Sequence, residues 1–128
     1  MTTAVTNGIR VSVRVRFASE HSDTKQGRYI FVYRITIANE GRHTVQLLRR
    51  HWHIWDSLAD ERQVEGPGVV GETPVLNPGE RFTYSSQCDL SSGLGRMAGT
   101  YTMRDMVSNV TFLVEVPAFV LSYPYLSN

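Results

Sequence analysis

The sequence predicts an all-β domain, built as a sandwich of about seven strands in two antiparallel sheets. Apolar residues recur at every second position through most of the chain, and turn residues separate these segments at the spacing typical of sandwiches. No segment of three helical turns carries a convincing apolar stripe. The length of 128 residues suits one domain, for which we expect the range 1–128, with residues 1–8 as a flexible tail.

The first half of the chain has the clearest alternation. Within residues 10–17 the odd positions are apolar and three of the even positions are arginine, which predicts a strand with one buried and one basic face. Residues 29–38 are apolar on one side and partly apolar on the other, as in a central strand. A turn is expected at residues 39–42, after which residues 44–56 read as extended chain.

The second half alternates strands with glycine-rich connections. Residues 65–71, 73–79 and 91–99 are expected to be loops because they are rich in glycine and proline. The expected strands are 81–88, the two hairpin arms 99–106 and 110–116 with a turn at Ser108 and Asn109, and a short edge strand at 119–122 after Pro117.

Composition excludes several classes of protein. The 13 basic and 12 acidic residues leave a net charge of +1, so we expect no specific nucleic-acid partner. A single cysteine excludes an intrachain disulfide. No apolar run approaches the roughly 20 residues of a membrane span, and the first residues lack the pattern of a signal peptide. We therefore expect a cytoplasmic protein without a membrane partner.

Gly66, Gly68 and Gly71 match the spacing G-x-G-x-x-G of dinucleotide-binding loops. That interpretation requires a helix starting at the third glycine, and Pro74 follows too soon for one. The sequence therefore predicts a non-helical loop between strands. With Arg49 and Arg50 nearby, the three glycines remain candidates for binding pyrophosphate or a nucleotide.

His51 and His53 would share one face of a strand, about 6.6 Å apart, and are weak candidates for a metal site. No third or fourth ligand is evident, so we expect neither a tight metal site nor a cofactor. Cys88 lies in an apolar alternation and is expected to be a buried thiol. Without a recognisable nucleophile and base, we do not expect an enzyme. Arg10, Arg14 and Arg16 form a candidate interaction surface for an acidic partner.

Six sequence blocks, taken in order, resemble the ApaG family. The resemblance spans nearly the whole chain after its first few residues. The blocks are VQLLRRHW at 45–52, VEGPGVVG at 64–71, PVLNPGE at 74–80, FTYSS at 82–86, GRMAGTYTM at 95–103 and VEVPAF at 114–119. One departure follows Asp56, where the family often has a glycine-containing turn and this chain has Ser57, Leu58 and Ala59.

The resemblance implies a fibronectin type III-like, that is immunoglobulin-like, β-sandwich. It also implies a link to cobalt resistance and magnesium efflux and, from related domains, a role in protein interaction. The family has no established catalytic residues to carry over. We therefore expect a non-catalytic module that binds an unknown protein partner, with homodimerisation through an edge strand as a further option. The alternative is a binder of pyrophosphate or diadenosine nucleotides through residues 66–71.

Overall fold

The computed structural model describes residues 1–125, and strands make up most of this part of the chain. Two single 3₁₀ turns, Ser19–His21 and Thr24–Gln26, lie between the second and third strands. The nine strands in the described residues are β1 Thr2–Thr6, β2 Ile9–Phe17, β3 Tyr29–Asn39, β4 Val45–Asp56, β5 Ala59–Pro67, β6 Val75–Leu76, β7 Arg81–Leu90, β8 Leu94–Asp105 and β9 Thr111–Ser122. Residues 1–125 contain no helix long and apolar enough to cross a membrane.

The strands form two antiparallel sheets, which confirms the predicted β-sandwich. The first sheet has the order β1-β2-β3-β7, and the second has the order β5-β4-β8-β9, with the short β6 beside β4. The second order resembles the C′-C-F-G sheet of immunoglobulin-like domains. Strands β5 and β7 are therefore edge strands of different sheets. A homodimer formed through such an edge stays a prediction.

The core follows from the alternation in the sequence. The apolar residues of β2 and β3, including Val11, Val13, Ile35 and Ile37, are buried between the sheets. Trp52 of β4, only 4% exposed, lies among the aromatic rings of both sheets. Its ring centroid is 5.6 Å from Tyr33, 6.1 Å from Phe119 and 6.5 Å from Tyr101. Edge-to-face contacts of this kind add to the apolar area that they bury.

The first residues are not the flexible tail that the sequence predicted. Thr2–Thr6 form β1, which pairs with β2 in a register that places Thr2 opposite Val13 and Thr6 opposite Ile9. A tight turn at Asn7 and Gly8, both with positive φ, joins the two strands. The sequence missed β1 because an edge strand that is largely exposed needs little apolar periodicity.

Three further expectations about strands were wrong. The loop expected at 65–71 begins inside β5, which runs from Ala59 to Pro67 and was not predicted as a strand. The inward positions of β5 include Arg62 and Gly66 rather than a full apolar series. The loop predicted at 91–99 is mostly strand, since β8 begins at Leu94. The separate strand predicted at 119–122 is the end of β9, which continues through Pro117 beside an irregularity in its pairing with β8. Proline is tolerated at such irregularities.

The turn after β4 is a two-residue hairpin, with Asp56 opposite Ala59. The carboxylate of Asp56 is buried and accepts hydrogen bonds from the Ser91 amide at 2.6 Å, the Ser92 hydroxyl at 2.7 Å and the Leu58 amide at 3.1 Å. Burial by itself would raise the pKa of Asp56. The three hydrogen bonds outweigh burial and leave the pKa below its usual value. One carboxylate thus joins the β4–β5 turn to the connection between β7 and β8.

We predict that Asp56→Asn lowers the free energy of unfolding at about pH 7 by about 1–3 kcal/mol, because an amide cannot accept all three bonds. A carboxylate whose pKa is lowered by folding contributes its stability above its unfolded pKa, near 3.9, and loses it as pH falls through the folded pKa. The difference between variant and parent should therefore shrink at about pH 2.5. Urea unfolding at both pH values measures it. The matched control is the exposed Asp60→Asn, which should stay within about 0.5 kcal/mol.

Candidate functional site

The glycine motif at residues 66–71 forms the end of strand β5 and a tight turn. It is not helical, as the sequence predicted. Gly66 is still part of β5. Val69 and Glu72 then pair across a two-residue turn, with hydrogen bonds of 2.8 and 2.9 Å in the two directions. The Gly68 amide donates to the Leu48 carbonyl at 2.8 Å. Because the amides of residues 68, 69 and 72 are used within the protein, they are not available to cradle a phosphate.

The tip of this turn holds a strained residue. Val70 has a φ of 43° and Gly71 a φ of 79°, so both central residues have the positive φ of a type I′ turn. Glycine adopts this conformation readily, but it is unusual for a β-branched residue. Val70 is also 53% exposed, so burial of its side chain does not explain the choice of valine.

The two arginines proposed to act with the glycines point to opposite sides of the sheet. Arg50 is opposite Gly66 and shares the inner side of β4 with Trp52. Arg49 is exposed on the outer side. Arg50 Nη1 donates to the Pro67 carbonyl at 2.9 Å and to the Gly68 carbonyl at 3.1 Å. The side chain of Arg50 therefore contacts the glycine motif, whereas that of Arg49 points to the other side of the sheet.

A cleft of about 330 Å³ opens between the edge strands β5 and β7. Arg50 lines it from β4, and Arg62 and Val64 line it from β5. From β7 come Tyr84, Ser86, Gln87, Cys88 and Asp89, while Tyr33, Trp52, Ile54, Met97, Val69 and Val70 complete the walls. The cleft exists because the inner faces of these two edges carry polar side chains that do not close the sandwich.

Burial favours the neutral forms of the two tyrosines and the cysteine that line the cleft. Burial raises the pKa of Tyr33 and of Tyr84, whose hydroxyl is hydrogen-bonded to that of Tyr101. Burial also raises the pKa of the Cys88 thiol to about 11. Cys88 is buried, as the sequence predicted. A thiol with this pKa is almost entirely protonated at neutral pH and is a poor nucleophile.

His51 and His53 lie on the outer face of the second sheet, on one side of β4 as predicted. Their rings are stacked, with centroids 4.8 Å apart, and the ring of Trp55 continues the stack 5.9 Å from that of His53. The guanidinium of Arg96 covers Trp55 at 4.1 Å. The imidazoles are thus packed side by side along the strand.

Side chains of β5 face these histidines. His51 Nε2 is 2.8 Å from Gln63 Oε1, and His53 Nδ1 is 3.1 Å from Glu61 Oε1. Glu65 is farther, 3.8 Å from His51 Nδ1. Within residues 1–125 no three His, Cys, Asp or Glu side chains are grouped so that they could hold a metal ion. This face therefore presents a stack of aromatic rings whose imidazoles are hydrogen-bonded to the side chains of β5.

The arginine-bearing face of β2 divides into paired and unpaired charges. Arg10 forms an ion pair with Glu40, and Arg16 forms one with Glu20, each at 3.0 Å. The hydrogen bond from Arg16 lowers the pKa of Glu20 to about 2. Arg14 makes no ion pair within the described part of the chain, and the residue opposite it on β3 is Arg34.

Comparison with known proteins gives a consistent result. Residues 19–105 match the family model of the ApaG domain. The chain is 47% identical over 123 residues to Protein ApaG of Methylorubrum populi, which covers 96% of this chain and 94% of the relative. This chain belongs to the ApaG family. It is also 46% identical over 121 residues to Protein ApaG of Mesorhizobium japonicum, covering 94% and 92% of the two chains.

A solved structure shares the architecture of this ApaG-family chain. It is a crystal structure of the protein named ApaA from Bordetella pertussis, with a TM-score of 0.87 and 40% identity, covering 91% of this chain and 94% of the other. The two sheets described above are therefore the fold of a known relative. These names identify the family and state no activity for it.

Sequence reasoning missed several residues that the fold brings to these sites. Arg62 reaches the cleft from the unrecognised strand β5, and Arg34 meets Arg14 across the first sheet. Trp55 and Arg96 join the stacked histidines. The one available signal was the alternation of β5, where Glu61, Gln63 and Glu65 mark a polar outer face.

We predict that Val70→Asn raises the free energy of unfolding by about 0.5–1.5 kcal/mol, because asparagine followed by glycine suits a turn with two positive φ angles. Chemical denaturation measures the change. The control is Val75→Asn, which replaces a similarly exposed valine on β6 and should not stabilise the protein. Equal stability of Val70→Asn and the parent would show that the turn carries no strain.

Proposed function

We propose that this protein is a non-catalytic interaction module that binds an acidic surface of a partner protein. The contact surface in this proposal is the arginine surface, which we define as Arg14 and Arg34 with their neighbours Arg16, Val32 and Ser85 on the outer side of the first sheet. The observation that carries the proposal is the direct pairing of Arg14 with Arg34 across two strands.

Two arginines in this position repel each other. Like charges directly opposite on neighbouring antiparallel strands destabilise a sheet, usually by a fraction of a kcal/mol. Elsewhere on the same strand the protein balances its arginines with Glu20 and Glu40. Within residues 1–125 no carboxylate forms an ion pair with either Arg14 or Arg34. An acidic partner would supply the missing charge.

The chemistry of arginine suits such a contact. Each guanidinium offers a planar set of donors that can bind a carboxylate with two parallel hydrogen bonds. The surrounding Ser12, Thr36 and Ser85 provide further hydrogen-bonding groups, and the exposed part of Val15 provides apolar area. Complementary charge on the partner would also accelerate the encounter of the two proteins.

The absence of catalysis is part of the proposal. The thiol of Cys88 is buried and held protonated. His43 Nδ1 lies 2.7 Å from Asp105 Oδ2, but Asp105 Oδ1 also accepts the amides of Val107 and Ser108. Those bonds indicate that this pair stabilises the turn between β8 and β9. These contacts support a structural role for Cys88 and for the pair of His43 and Asp105.

The expected cytoplasmic location and the link to cobalt resistance and magnesium efflux also belong to this proposal. The described residues offer no group of three metal ligands. We propose that any effect on metal homeostasis passes through the partner protein. Binding of pyrophosphate or diadenosine nucleotides by residues 66–71 has less support, because the amides of Gly68, Val69 and Glu72 are already bonded.

We predict that Arg14→Glu weakens partner capture while leaving the protein at least as stable as the parent. The substitution puts a carboxylate opposite Arg34 in place of a second guanidinium, and this pair of opposite charges should contribute about 0.2–1 kcal/mol. Affinity capture from native cytoplasm, quantified for each protein recovered, measures binding, and thermal unfolding measures stability. Capture by the parent should also fall as salt is raised.

The control for this experiment is Arg49→Glu, which reverses an exposed arginine on the opposite sheet. It should leave the captured proteins unchanged. If Arg14→Glu and Arg49→Glu reduced partner capture equally, the effect would come from the net charge of the protein and not from the arginine surface. Capture that is insensitive to both salt and Arg14→Glu would contradict the proposal.

We also predict that the pure protein does not hydrolyse diadenosine tetraphosphate, ATP or pyrophosphate. Chromatography of long incubations should show no product above the buffer control, because the thiol of Cys88 is buried and held protonated. Hydrolysis that disappears in Arg50→Met or in a variant of Glu65 would contradict the non-catalytic proposal.

A further inference from the structure

We infer that the cleft between β5 and β7 binds a small organic anion, whose charged group meets Arg50 and whose planar apolar body lies against the walls of the cleft. This inference concerns the gap between the edges of the two sheets, not the outer face of the first sheet where the arginine surface lies, and it does not depend on the proposed function. It rests on the shape of the cleft, an uncompensated charge, a glycine that makes room for Arg50 and a strained turn at the rim.

The shape and lining of the cleft suit a single-ring ligand. Its volume of about 330 Å³ lies at the lower end of ligand sites, which is too small to enclose a dinucleotide. The apolar side chains that line it include Val64 and Val70, which are exposed, and Trp52, Val69 and Met97, which are almost fully buried. Polar groups make up about half of the accessible wall, among them the side chains of Ser86, Gln87 and Asp89. Ligand sites commonly combine an apolar wall with a few polar groups that orient the ligand.

The charge of Arg50 has no counter-ion within residues 1–125. The side chain of Arg50 is half-buried. Within the described residues its guanidinium donates hydrogen bonds to the carbonyls of Pro67 and Gly68, and both bonds come from Nη1. A cation that is partly removed from water without an opposite charge is costly. Arg62 differs, since it lies 3.3 Å from Asp89 Oδ1 and also donates to the Asp89 carbonyl at 2.6 Å. Arg50 is therefore the cation that an anionic ligand would meet.

The protein makes room for this guanidinium. Gly66, opposite Arg50, has no side chain, and a Cβ atom there would lie only 3.3 Å from Arg50 Nη1. The glycine thus permits an inward arginine at a position where an apolar pair would close the sandwich. The glycine motif at residues 66–71, whose spacing resembles that of a dinucleotide-binding loop, therefore makes room for the side chain of Arg50.

The rim of the cleft stores backbone strain. Val70 lines the cleft and keeps a positive φ that is unfavourable for valine. Its neighbour Val69 is fully buried and anchors the turn in the core. Strained residues that are held by well-packed neighbours are frequent at binding sites. The valine at this position adds an apolar group to the wall that an asparagine would not provide.

The ligand class follows from these features. A carboxylate or phosphoryl group can accept hydrogen bonds from the free donors of Arg50. A planar ring attached to it would lie against the wall that Trp52 and its cross-strand neighbour Val64 form together. Both kinds of anionic head share this chemistry, so the experiment tests each of them.

The test is a titration of the ¹⁵N-labelled full chain with benzoate, phenyl phosphate and benzamide, followed by amide chemical shifts. Benzamide is the neutral isostere of benzoate. We expect at least one anion to shift amides of β5, β7 and residues 69–71, with an affinity about tenfold or more above that of benzamide. A stronger response to phenyl phosphate than to benzoate would identify a phosphoryl head, and the reverse would identify a carboxylate. Equal binding of benzamide, or shifts outside the cleft only, would overturn the inference.

Two variants with a matched control locate the anion. Arg50→Met should reduce the affinity about tenfold or more, whereas Arg49→Met, one residue away on the outer face, should not change it. If Arg50→Met does not fold, Ser86→Leu tests the site instead. This substitution fills the cleft and leaves Arg50 in place, so it should abolish binding of the anion. Binding that survives in folded Arg50→Met, or in Ser86→Leu, would refute the site. Arg14→Glu should leave this binding unchanged, so the inference and the proposed function can fail separately.

Discussion

The contact of Trp52 with the aromatic rings of both sheets is the interaction on which the arrangement of this protein depends. Trp52 lies on the inner side of β4, within 5.6 to 6.5 Å of the ring centroids of Tyr33, Phe119 and Tyr101. Because side chains alternate along a strand, this position also decides the direction of every neighbour. Arg50 must point inward, and His51 and His53 must point outward. The unusual run from Arg49 to Trp55 is thereby divided between two separate surfaces.

The inward direction of Arg50 has a consequence for the edge of the sandwich. Around Trp52 the sheets are closed by apolar residues, but towards β5 and β7 the inner positions carry Arg50, Arg62 and Ser86. Inward charges are one way in which proteins protect exposed edge strands from pairing with other chains. Here the same charges also leave a cleft. The same inward-facing residues can therefore protect the edge strands from pairing with other chains and line the proposed binding site.

The sequence predicted the strands that alternate strongly and missed those that do not. The strand at 10–17 and the strand at 29–38 were predicted almost to their observed ends, because burial of one whole face imposes a strict period of two. Strand β5 was missed because its inner positions hold Arg62, Val64 and Gly66. Strand β8 was shortened because Gly95 and Gly99 resemble loop residues, although both lie inside the strand. The errors therefore concentrate at edges and at glycines, where backbone hydrogen bonding replaces side-chain burial.

The sequence by itself determined the fold class, the inner and outer faces of the central strands, the burial of Cys88 and the resemblance to the ApaG family. All of these depend on local periodicity or on the order of sequence blocks along the chain. Only the tertiary structure decided that Arg14 meets Arg34, that Arg50 and Arg62 share a cleft, and that Val70 is strained. The reason is physical. Periodicity states which way a side chain points, whereas the register between strands, set by long-range hydrogen bonding and core packing, decides what it meets.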